Sequence, residues 1–242
     1  MQIIKLNAID STNNYLKQLL MDTALEDFCV VTTKYQSKGK GQIGAEWISE
    51  KGKNLTFSVL KKNPPIKLPR QFHLNILVSL SIVKTLEHYS IRKLAIKWPN
   101  DILSDHHKIS GILIENQIKS NRIDFSIIGI GLNVNQELFI GLPKVSSMKS
   151  ILGMPINKDE LLDKLIKNLQ IYFKLFSEKG EDIVNAEYES YLFRKGKPST
   201  FELPNGILST GIIRGIADTG KLRVQMEDAT KEFGFKEVKL LY

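Results

Sequence analysis

Cysteine, histidine and long apolar runs are scarce in this 242-residue chain, which has one cysteine and four histidines. Cys29 has no partner for an intrachain disulfide, and its place in the apolar run 28–31 favours a buried small hydrophobe in a reducing compartment. No run approaches the roughly 18 uncharged apolar residues of a membrane-spanning helix. Residues 1–6 resemble a strand rather than a signal peptide. These absences predict a cytoplasmic protein without membrane contact.

The histidines are too dispersed for a metal site. His73 and His88 lie on one predicted helix but are too far apart to share a face at positions i and i+4. His106 and His107 fall in a predicted polar turn, where solvation is the simpler interpretation. We therefore expect no metal site built from protein side chains.

Positive charge is in excess but is not concentrated anywhere. The formal net charge is +8 and the isoelectric point is near 9.3, which favours anionic partners. There is no block of like charges and no arginine-rich tail, so a solvated basic surface accounts for most lysines. The hydrophobic content of 42% is typical of a soluble globular protein, and the length allows one or two domains.

Glycine and lysine are concentrated in the stretch 34–58. Gly39, Gly41 and Gly44 match the spacing of a dinucleotide-binding loop, but such a loop must open a helix, and here apolar strands are predicted on both sides. The chain also lacks the His-Arg-Asp and Asp-Phe-Gly of kinases and the Gly-Lys-Ser/Thr of a P-loop. The composition suits a loop that binds an anion, and a flexible basic surface loop is the alternative.

Hydrophobic periodicity predicts a mixed arrangement of strands and helices, followed by a change of pattern near Gly196. Residues 10–13 are helix N-cap types, and Asn157 with Glu160 resembles a capping box. From Lys195, short alternating segments between turn residues predict a β-barrel of about five strands. We therefore expect two domains, 1–194 and 195–242. The predicted strands are 1–6, 28–33, 54–60, 94–98, 108–115 and 127–135. One predicted helix begins after residue 13, and three others span 70–86, 161–176 and 178–192.

The last predicted strand of the first domain, 127–135, has an unusual face. Gly129, Gly131, Asn133 and Asn135 share it because side chains alternate along a strand. A strand face without side chains lets another group approach closely. A bulge and tight helix packing are the alternative explanations.

Four separated segments follow one another in a characteristic order. They are Asp10-Ser-Thr-Asn-Asn-Tyr-Leu16, the glycine loop ending at Trp47, Lys97-Trp-Pro-Asn-Asp101, and Lys108-Ile-Ser-Gly-Ile-Leu-Ile-Glu115 with Gly129-Ile-Gly-Leu-Asn-Val-Asn135. In order and spacing they resemble the biotin protein ligases, and segments near Gly211 and Gly220 are similar to the SH3-like domain of that family. The resemblance implies an α/β (α+β) fold, with a mixed-sheet catalytic domain similar to class II aminoacyl-tRNA synthetases and a small C-terminal SH3-like β-barrel.

The resemblance also implies a two-step reaction. Biotin and ATP form biotinyl-adenylate and pyrophosphate, with Mg²⁺ neutralising the polyphosphate, and the biotinyl group then passes to a lysine of a biotin carboxyl carrier protein. The catalytic residues it implies are Lys108, Lys40 and Asp101. The biotin-binding residues it implies are Ser11, Thr12, Asn13, Gln36, Lys40, Gly41, Gln42, Lys108 and Gly111. The ATP-binding residues it implies are Lys40, Trp47, Lys97, Asn100, Lys108, Gly111 and Asn133.

Several of these implied roles have alternatives. Lys40 and Lys108 would hold carboxylate and phosphoryl oxygens, and Trp47 would offer a face on which adenine stacks. Lys97 is either a ligand contact or the partner of an acidic residue. Asp101 is a proton acceptor, a group that orients the acceptor lysine, or simply a turn residue.

The glycine loop departs from the family pattern. Family members commonly have Gly-Arg-Gly-Arg, whereas this chain has Gly39-Lys-Gly-Gln42. Lysine lacks the planar fork with which arginine grips an anion at two points, and Gln42 carries no charge. We therefore predict that the adenylate is held less tightly here than where both arginines are present.

Two other functions stay open. A lipoate-protein ligase shares the fold and the adenylate chemistry, but the segment 97–101 and the tryptophan loop favour biotin. A non-catalytic nucleotide or nucleic-acid binder would use the basic loop and the barrel, yet residues 195–242 lack the clustered aromatics of a stacking platform. About ten residues precede Ser11, too few for the DNA-binding domain of some family members, so we expect no DNA binding. A homodimer is a further expectation from the family.

Overall fold

The computed structural model describes residues 2–227 and 229–242, except for the side chain of Ile43. Its strands are β1 Ile3–Leu6, β2 Val30–Thr33, β3 Leu55–Lys62, β4 Leu94–Lys97, β5 Asp101–Ser104, β6 His107–Lys119, β7 Arg122–Leu132, β8 Pro198–Glu202, β9 Leu208–Ile216, β10 Leu222–Gln225, β11 Thr230–Phe233 and β12 Lys239–Leu241. Its α-helices are α1 Thr12–Asp22, α2 His73–His88, α3 Met148–Leu152, α4 Lys158–Lys179 and α5 Glu181–Ser190. Short 3-10 helices span Gln42–Gly44 and Leu68–Arg70.

The seven strands β1 to β7 form one mixed sheet in the order β1-β2-β3-β7-β6-β5-β4. Only the β1–β2 pair is parallel; the other neighbouring pairs are antiparallel. Strand β7 lies at the centre of this sheet and forms a long antiparallel hairpin with β6. This arrangement confirms the mixed-sheet α/β architecture.

Helices cover both faces of this sheet. On one face, residues of α2 and α4 pack against alternate strand residues such as Val59 and Ile128. On the other face, Leu16 of α1 packs with Leu60 and Ile127, the neighbours of those two residues along their strands. Because side chains alternate between the two faces, β3 and β7 contribute residues to two separate cores. The prediction of a buried Cys29 is confirmed, since it lies in this second core.

Helix α2 is buried on nearly every side. All residues from His73 to Val83 are buried, as expected for a helix that carries apolar residues around most of its circumference. Helix α4 begins with the predicted cap, because the Asn157 side chain accepts hydrogen bonds from the backbone N–H groups of Asp159 and Glu160. None of the described helices is both long enough and apolar enough to cross a membrane.

The structure corrects the prediction of a single polar turn between two strands in the region after Lys97. Asp101–Ser104 forms a strand, β5, which pairs with both β4 and β6. The polar residues Asp105 and His106 alone make the turn. Pro99 and Asn100 thus reverse the chain rather than ending the sheet, and this reversal brings Asp101 opposite Lys97.

The remaining strands form a five-stranded antiparallel sheet in the order β11-β10-β9-β8-β12, which agrees with the expected small SH3-like unit. It packs closely on the larger unit. The buried Trp98 indole N–H donates to the Gly220 carbonyl at 2.9 Å. The Ile216 backbone N–H donates to the Glu189 carboxylate at 3.0 Å. Apolar residues of both units form one continuous core.

Candidate functional site

A cavity of about 240 Å³ lies on the sheet face that carries α1, where the N-terminus of α1, the loop 36–47 and strands β3, β6 and β7 meet. Most of the residues predicted to bind biotin or ATP or to be catalytic line it. They are Ser11, Thr12, Asn13, Gln36, Lys40, Gly41, Gln42, Trp47, Asn100, Asp101, Lys108 and Gly111. Sequence reasoning therefore assembled one site from six separated parts of the chain.

The loop 39–47 folds back on itself above the cavity. Lys40 pairs with Glu46 in an antiparallel bridge, and the Trp47 N–H donates to the Gly39 carbonyl at 3.0 Å. A side chain at position 39 would overlap the backbone carbonyl of Trp47, so only glycine allows this close crossing. The crossing turns Trp47 down towards the sheet.

Trp47 fills the space left by two glycines of the sheet. Gly131 of β7 lies directly opposite Gly111 of β6, and a side chain at position 131 would overlap the indole ring. A Cβ atom at position 111 would lie 3.3 Å from the ring. The indole N–H is buried and has no hydrogen-bond partner among the described residues. This donor is free to bind a ligand.

Asn13 occupies the corresponding space above Gly129. A Cβ atom at position 129 would lie 2.5 Å from the Asn13 amide oxygen. That oxygen accepts a hydrogen bond from the buried Ser58 hydroxyl at 2.5 Å, and the amide nitrogen donates to the Glu115 carboxylate at 2.7 Å. The glycine face of β7 is thus covered by two side chains of the protein itself, Asn13 from α1 and Trp47 from the loop.

The polar end of the cavity is formed where α1 begins. The Gln36 amide oxygen accepts hydrogen bonds from the backbone N–H of Thr12 at 2.8 Å and from its hydroxyl at 3.0 Å. Ser11 occupies the N-cap position, yet its side chain makes no capping hydrogen bond. The expectation of N-cap residue types in 10–13 therefore agrees with the position of Ser11, but its side chain does not cap the helix, and Ser11 lines the cavity.

Lys108 enters the cavity because the sheet is irregular beside it. Strict alternation would place Lys108 and Gly111 on opposite faces, three residues apart. The β5–β6 register shifts by one residue between these positions, and such a bulge redirects a side chain. As a result, the Lys108 ammonium lies 3.2 Å from the Cβ position of Gly111 and 5.8 Å from the centre of the Trp47 ring. Its carboxylate partner is Asp101, at 2.6 Å.

The second predicted lysine, Lys40, lies at the edge of the cavity. Its exposed ammonium donates to the Asn14 amide oxygen at 2.9 Å. The Asn14 amide nitrogen in turn donates to the Asp10 carboxylate at 3.0 Å. This hydrogen bond, together with one from the Ser11 backbone, lowers the pKa of Asp10.

Three of the predicted nucleotide-binding residues either hydrogen-bond within the protein or lie outside the lining of this cavity. Asn100 lines the cavity, but its amide donates to the Ile112 carbonyl at 2.8 Å. Asn133 is buried outside the cavity lining, and its amide donates to the Ser146 carbonyl at 3.1 Å. Lys97 also lies outside this lining; it borders a second cavity between β4 and the C-terminal sheet. Their roles towards ATP stay predictions.

The sequence analysis missed several residues that shape the site. Ser58 and Glu115 fix the Asn13 amide, and Thr56 and Glu46 line the cavity. Parity offered a signal for Ser58, a polar residue that alternates with the apolar Phe57 and Val59 along β3. No comparable signal marked Glu46, because only the folded loop brings it to the cavity.

No group of three or more histidine, cysteine or acidic residues that could hold a metal occurs within the described residues. Magnesium keeps several waters and binds phosphates with one or two carboxylates in many nucleotide sites.

Comparison with known proteins agrees with this fold. Residues 6–133 match the profile of the Biotin/lipoate A/B protein ligase family, and residues 196–240 match that of the Biotin protein ligase C terminal domain. Because the first match covers more than half of the 242 residues, the chain belongs to the biotin/lipoate A/B protein ligase family.

Individual relatives cover nearly the whole chain. It is 28% identical to the bifunctional ligase/repressor BirA of Bacillus spizizenii, with 98% of this chain and 74% of that protein aligned. It is 25% identical to the biotin--[acetyl-CoA-carboxylase] ligase of Mycobacterium tuberculosis, over 88% of this chain and 79% of that protein. The biotin protein ligase of Aquifex aeolicus in complex with biotin and ATP superimposes with a TM-score of 0.82 at 28% identity, covering 99% of this chain and 98% of that one.

Proposed function

We propose that this protein is an ATP-dependent biotin protein ligase. It would join the biotin carboxylate to the α-phosphate of ATP, release pyrophosphate, and pass the biotinyl group to a lysine of a carrier protein. The observation that carries the proposal is the position of Lys108, which lines the same cavity as the polar end formed by α1 and whose ammonium lies 5.8 Å from the centre of the Trp47 ring. Relatives named as biotin ligases, and a similar fold solved with biotin and ATP, support it.

The polar end suits the ureido head of biotin. Ser11, Thr12, Asn13 and Gln36 present hydroxyl and amide groups, while Ile112 and Leu113 contribute apolar wall. A site of this kind fixes the orientation of an otherwise apolar ligand through a few hydrogen bonds. The Gln36 amide oxygen is already satisfied by Thr12, so its amide nitrogen is the group we assign to biotin.

The central step brings two anions together. The carboxylate oxygen bonds to the α-phosphorus, the bond from that phosphorus to the bridging oxygen breaks, and the electron pair leaves with pyrophosphate. We assign Lys108 to the oxygens at this centre, because a fixed ammonium stabilises the negative charge that develops on them. Lys40 approaches from the loop side and adds a second cation. Mg²⁺ bound to ATP neutralises the polyphosphate.

The transfer step needs an uncharged amine from the acceptor lysine. The amine nitrogen attacks the carbonyl carbon, AMP leaves, and one proton is released. The Asp101 carboxylate contacts the Lys108 ammonium at 2.6 Å, so it already orients one lysine. We propose that it orients the acceptor lysine in the same way.

Formation of the intermediate tests this function. The protein, MgATP and an equal mixture of biotin and lipoate are incubated, and mass spectrometry follows biotinyl-adenylate, lipoyl-adenylate and pyrophosphate. We expect biotinyl-adenylate alone; lipoyl-adenylate would favour the lipoate ligase alternative, and nucleotide binding without either product would favour the non-catalytic binder. Lys108→Ala should abolish the product, whereas Lys174→Ala, which removes an exposed lysine of α4, should not.

Other expectations of the sequence belong to the same proposal. The printed name of the Mycobacterium tuberculosis relative gives acetyl-CoA carboxylase as its substrate, so a biotin carboxyl carrier protein is the proposed acceptor. The absence of DNA binding, the homodimer, the cytoplasmic location and the domain boundary at residues 194 and 195 stay predictions.

A further inference from the structure

Tyr242, which follows strand β12, brings together two lysines from distant parts of the chain. The Lys97 ammonium lies 4.9 Å from the centre of its ring, and the Lys144 ammonium lies 4.3 Å from it. Phe193 supports the ring edge-on, with the two ring centres 5.0 Å apart. A cation within about 6 Å of a ring centre is attracted by the ring electrons. The ring therefore fixes the positions of both ammonium groups.

Both lysines lie beside Lys108. Lys97 is directly opposite Asp101 in the β4–β5 pair, so their side chains share one face, and Asp101 contacts Lys108. Lys144 approaches from the other side, where its carbonyl accepts a hydrogen bond from the Lys108 N–H at 2.8 Å. The lysine cluster, defined as Lys97, Lys108 and Lys144, thus continues from the cavity to the ring of Tyr242.

This cluster has fewer anions than cations. Within residues 2–227 and 229–242, neither Lys97 nor Lys144 forms an ion pair, and the Asp101 carboxylate near Lys97 contacts the Lys108 ammonium. Burial lowers the pKa of Lys97, and the positive charges of Lys108, Lys144 and Lys239 act in the same direction, with Asp101 opposing them. An anion bound here would relieve the repulsion between these cations and stabilise the folded protein.

We propose that Tyr242 is a positioning residue that holds Lys97 and Lys144 as the binding site for the β- and γ-phosphates of ATP and for the departing pyrophosphate. The inference rests on the proposed function. When the bond between the α-phosphorus and the bridging oxygen breaks, the new negative charge develops on pyrophosphate, next to the two lysines. The C-terminal unit would therefore take part in the first half of the reaction through a single aromatic ring.

Calorimetric titration with inorganic pyrophosphate tests the site without requiring turnover. Tyr242→Leu removes the ring, and we expect it to weaken pyrophosphate binding by roughly tenfold. Lys97→Met and Lys144→Met should weaken it at least as much. Tyr242→Phe keeps the ring and should bind within about twofold of the wild type. Lys174→Met removes the same charge from the surface of α4 and should leave pyrophosphate affinity unchanged.

Kinetics separates positioning from a general loss of structure. Tyr242→Leu should raise KM for MgATP by roughly tenfold while KM for biotin and the melting temperature stay close to wild type. If the wild type forms adenylate but Tyr242→Leu binds pyrophosphate as tightly as the wild type, the inference is overturned and the proposed function stands. If pyrophosphate binding depends on Tyr242 but no adenylate forms, the anion site stands and the proposed function is overturned.

Discussion

At the residue scale, the two glycines of β7 determine which side chains reach the cavity. Gly129 leaves room for Asn13, and Gly131 leaves room for Trp47. The two positions are on the same face of one strand. The same substitution at each of them therefore tests the Asn13 part and the Trp47 part of the site separately. Neither glycine has a positive φ angle, so an alanine at either position would fill the space above the strand without straining the backbone.

We predict separate effects for the two alanine variants. Gly129→Ala displaces Asn13 and should raise KM for biotin by at least about tenfold, with a smaller effect on MgATP. Gly131→Ala displaces Trp47 and should raise KM for MgATP by a similar factor, because Trp47 is the predicted stacking surface for adenine. Initial-rate measurements with each substrate varied in turn provide the check. Equal effects on both substrates in both variants would contradict the assignment.

Gln42 is the residue at which the loop departs most from the family pattern. It lines the cavity but carries no charge, and Lys40 beside it is turned towards Asn14. The weak retention of the adenylate predicted from the sequence follows from this shortage of fixed cations in the loop.

Adding the missing charge should slow release of the adenylate. We predict that Gln42→Arg lowers the dissociation rate of biotinyl-adenylate by roughly tenfold, because charge-assisted, bidentate hydrogen bonds to a phosphate are among the strong ones. Stopped-flow displacement of preformed adenylate by excess biotin measures the rate. Gln117→Arg, on the exposed outer end of β6, gives the matched charge control. An unchanged rate in Gln42→Arg would contradict this account of the loop.

At the scale of elements, the loop 39–47 acts as a cover whose shape depends on one close backbone crossing. The Gly39 position cannot hold a side chain without displacing the carbonyl of Trp47. The segment that follows the loop is anchored at Gly52, whose carbonyl accepts a hydrogen bond from the Lys158 ammonium at 2.5 Å. A cover over a mixed anhydride matters because it excludes the water that would hydrolyse it.

Gly39→Ala should open this cover. We expect the variant to form biotinyl-adenylate but to release it or lose it to hydrolysis at least about tenfold faster than the wild type, with an unchanged melting temperature. The ratio of AMP to pyrophosphate produced without an acceptor protein measures this leakage. Gly234→Ala, directly after β11, is the matched control, because the nearest atoms to a Cβ atom there belong to the Glu237 side chain. Equal leakage in wild type and Gly39→Ala would count against the cover.

Elements with long, regular patterns were predictable from the sequence, and short or irregular ones were not. The apolar run of α2 and the parity of β7 indicated a buried helix and a bare strand face, and both are present. Strand β5 has only four residues and follows a Pro-Asn turn, so hydrophobic periodicity had too little length to reveal it. The bulge that redirects Lys108 left no sequence signal, because it depends on pairing between two strands.

The site residues divide in the same way. Residues within the segments that carry the family resemblance, such as Thr12, Gln36 and Lys108, were identified from it, and they line one cavity. Glu115 lay inside a quoted segment, but its contact with Asn13 spans about a hundred residues of sequence and appears only in the folded chain. Tyr242 lay outside every segment that the resemblance used.

At the scale of the whole molecule, the two units share a continuous core. Trp98 is buried between them, and its indole donates to Gly220 of the smaller unit. Gly220 itself has a φ of +84° and lies against Phe72, so it has no room for a side chain. Such contacts predict that the two units unfold together.

Trp98→Phe tests the coupling between the units. The substitution leaves the Gly220 carbonyl without its donor, so we expect the free energy of unfolding to fall by about 1–3 kcal/mol. Denaturant titration followed by both far-UV circular dichroism and intrinsic fluorescence should give one coincident transition in the wild type and in the variant. Two separated transitions would contradict a shared core.

The central claim is that this cavity joins biotin to ATP, and the exchange of labelled pyrophosphate into ATP measures that reaction in both directions. We predict that exchange requires biotin, does not occur with lipoate alone, and disappears in Lys108→Ala while Lys174→Ala retains it. Exchange that is absent with biotin, or that is supported by lipoate instead, would contradict the account.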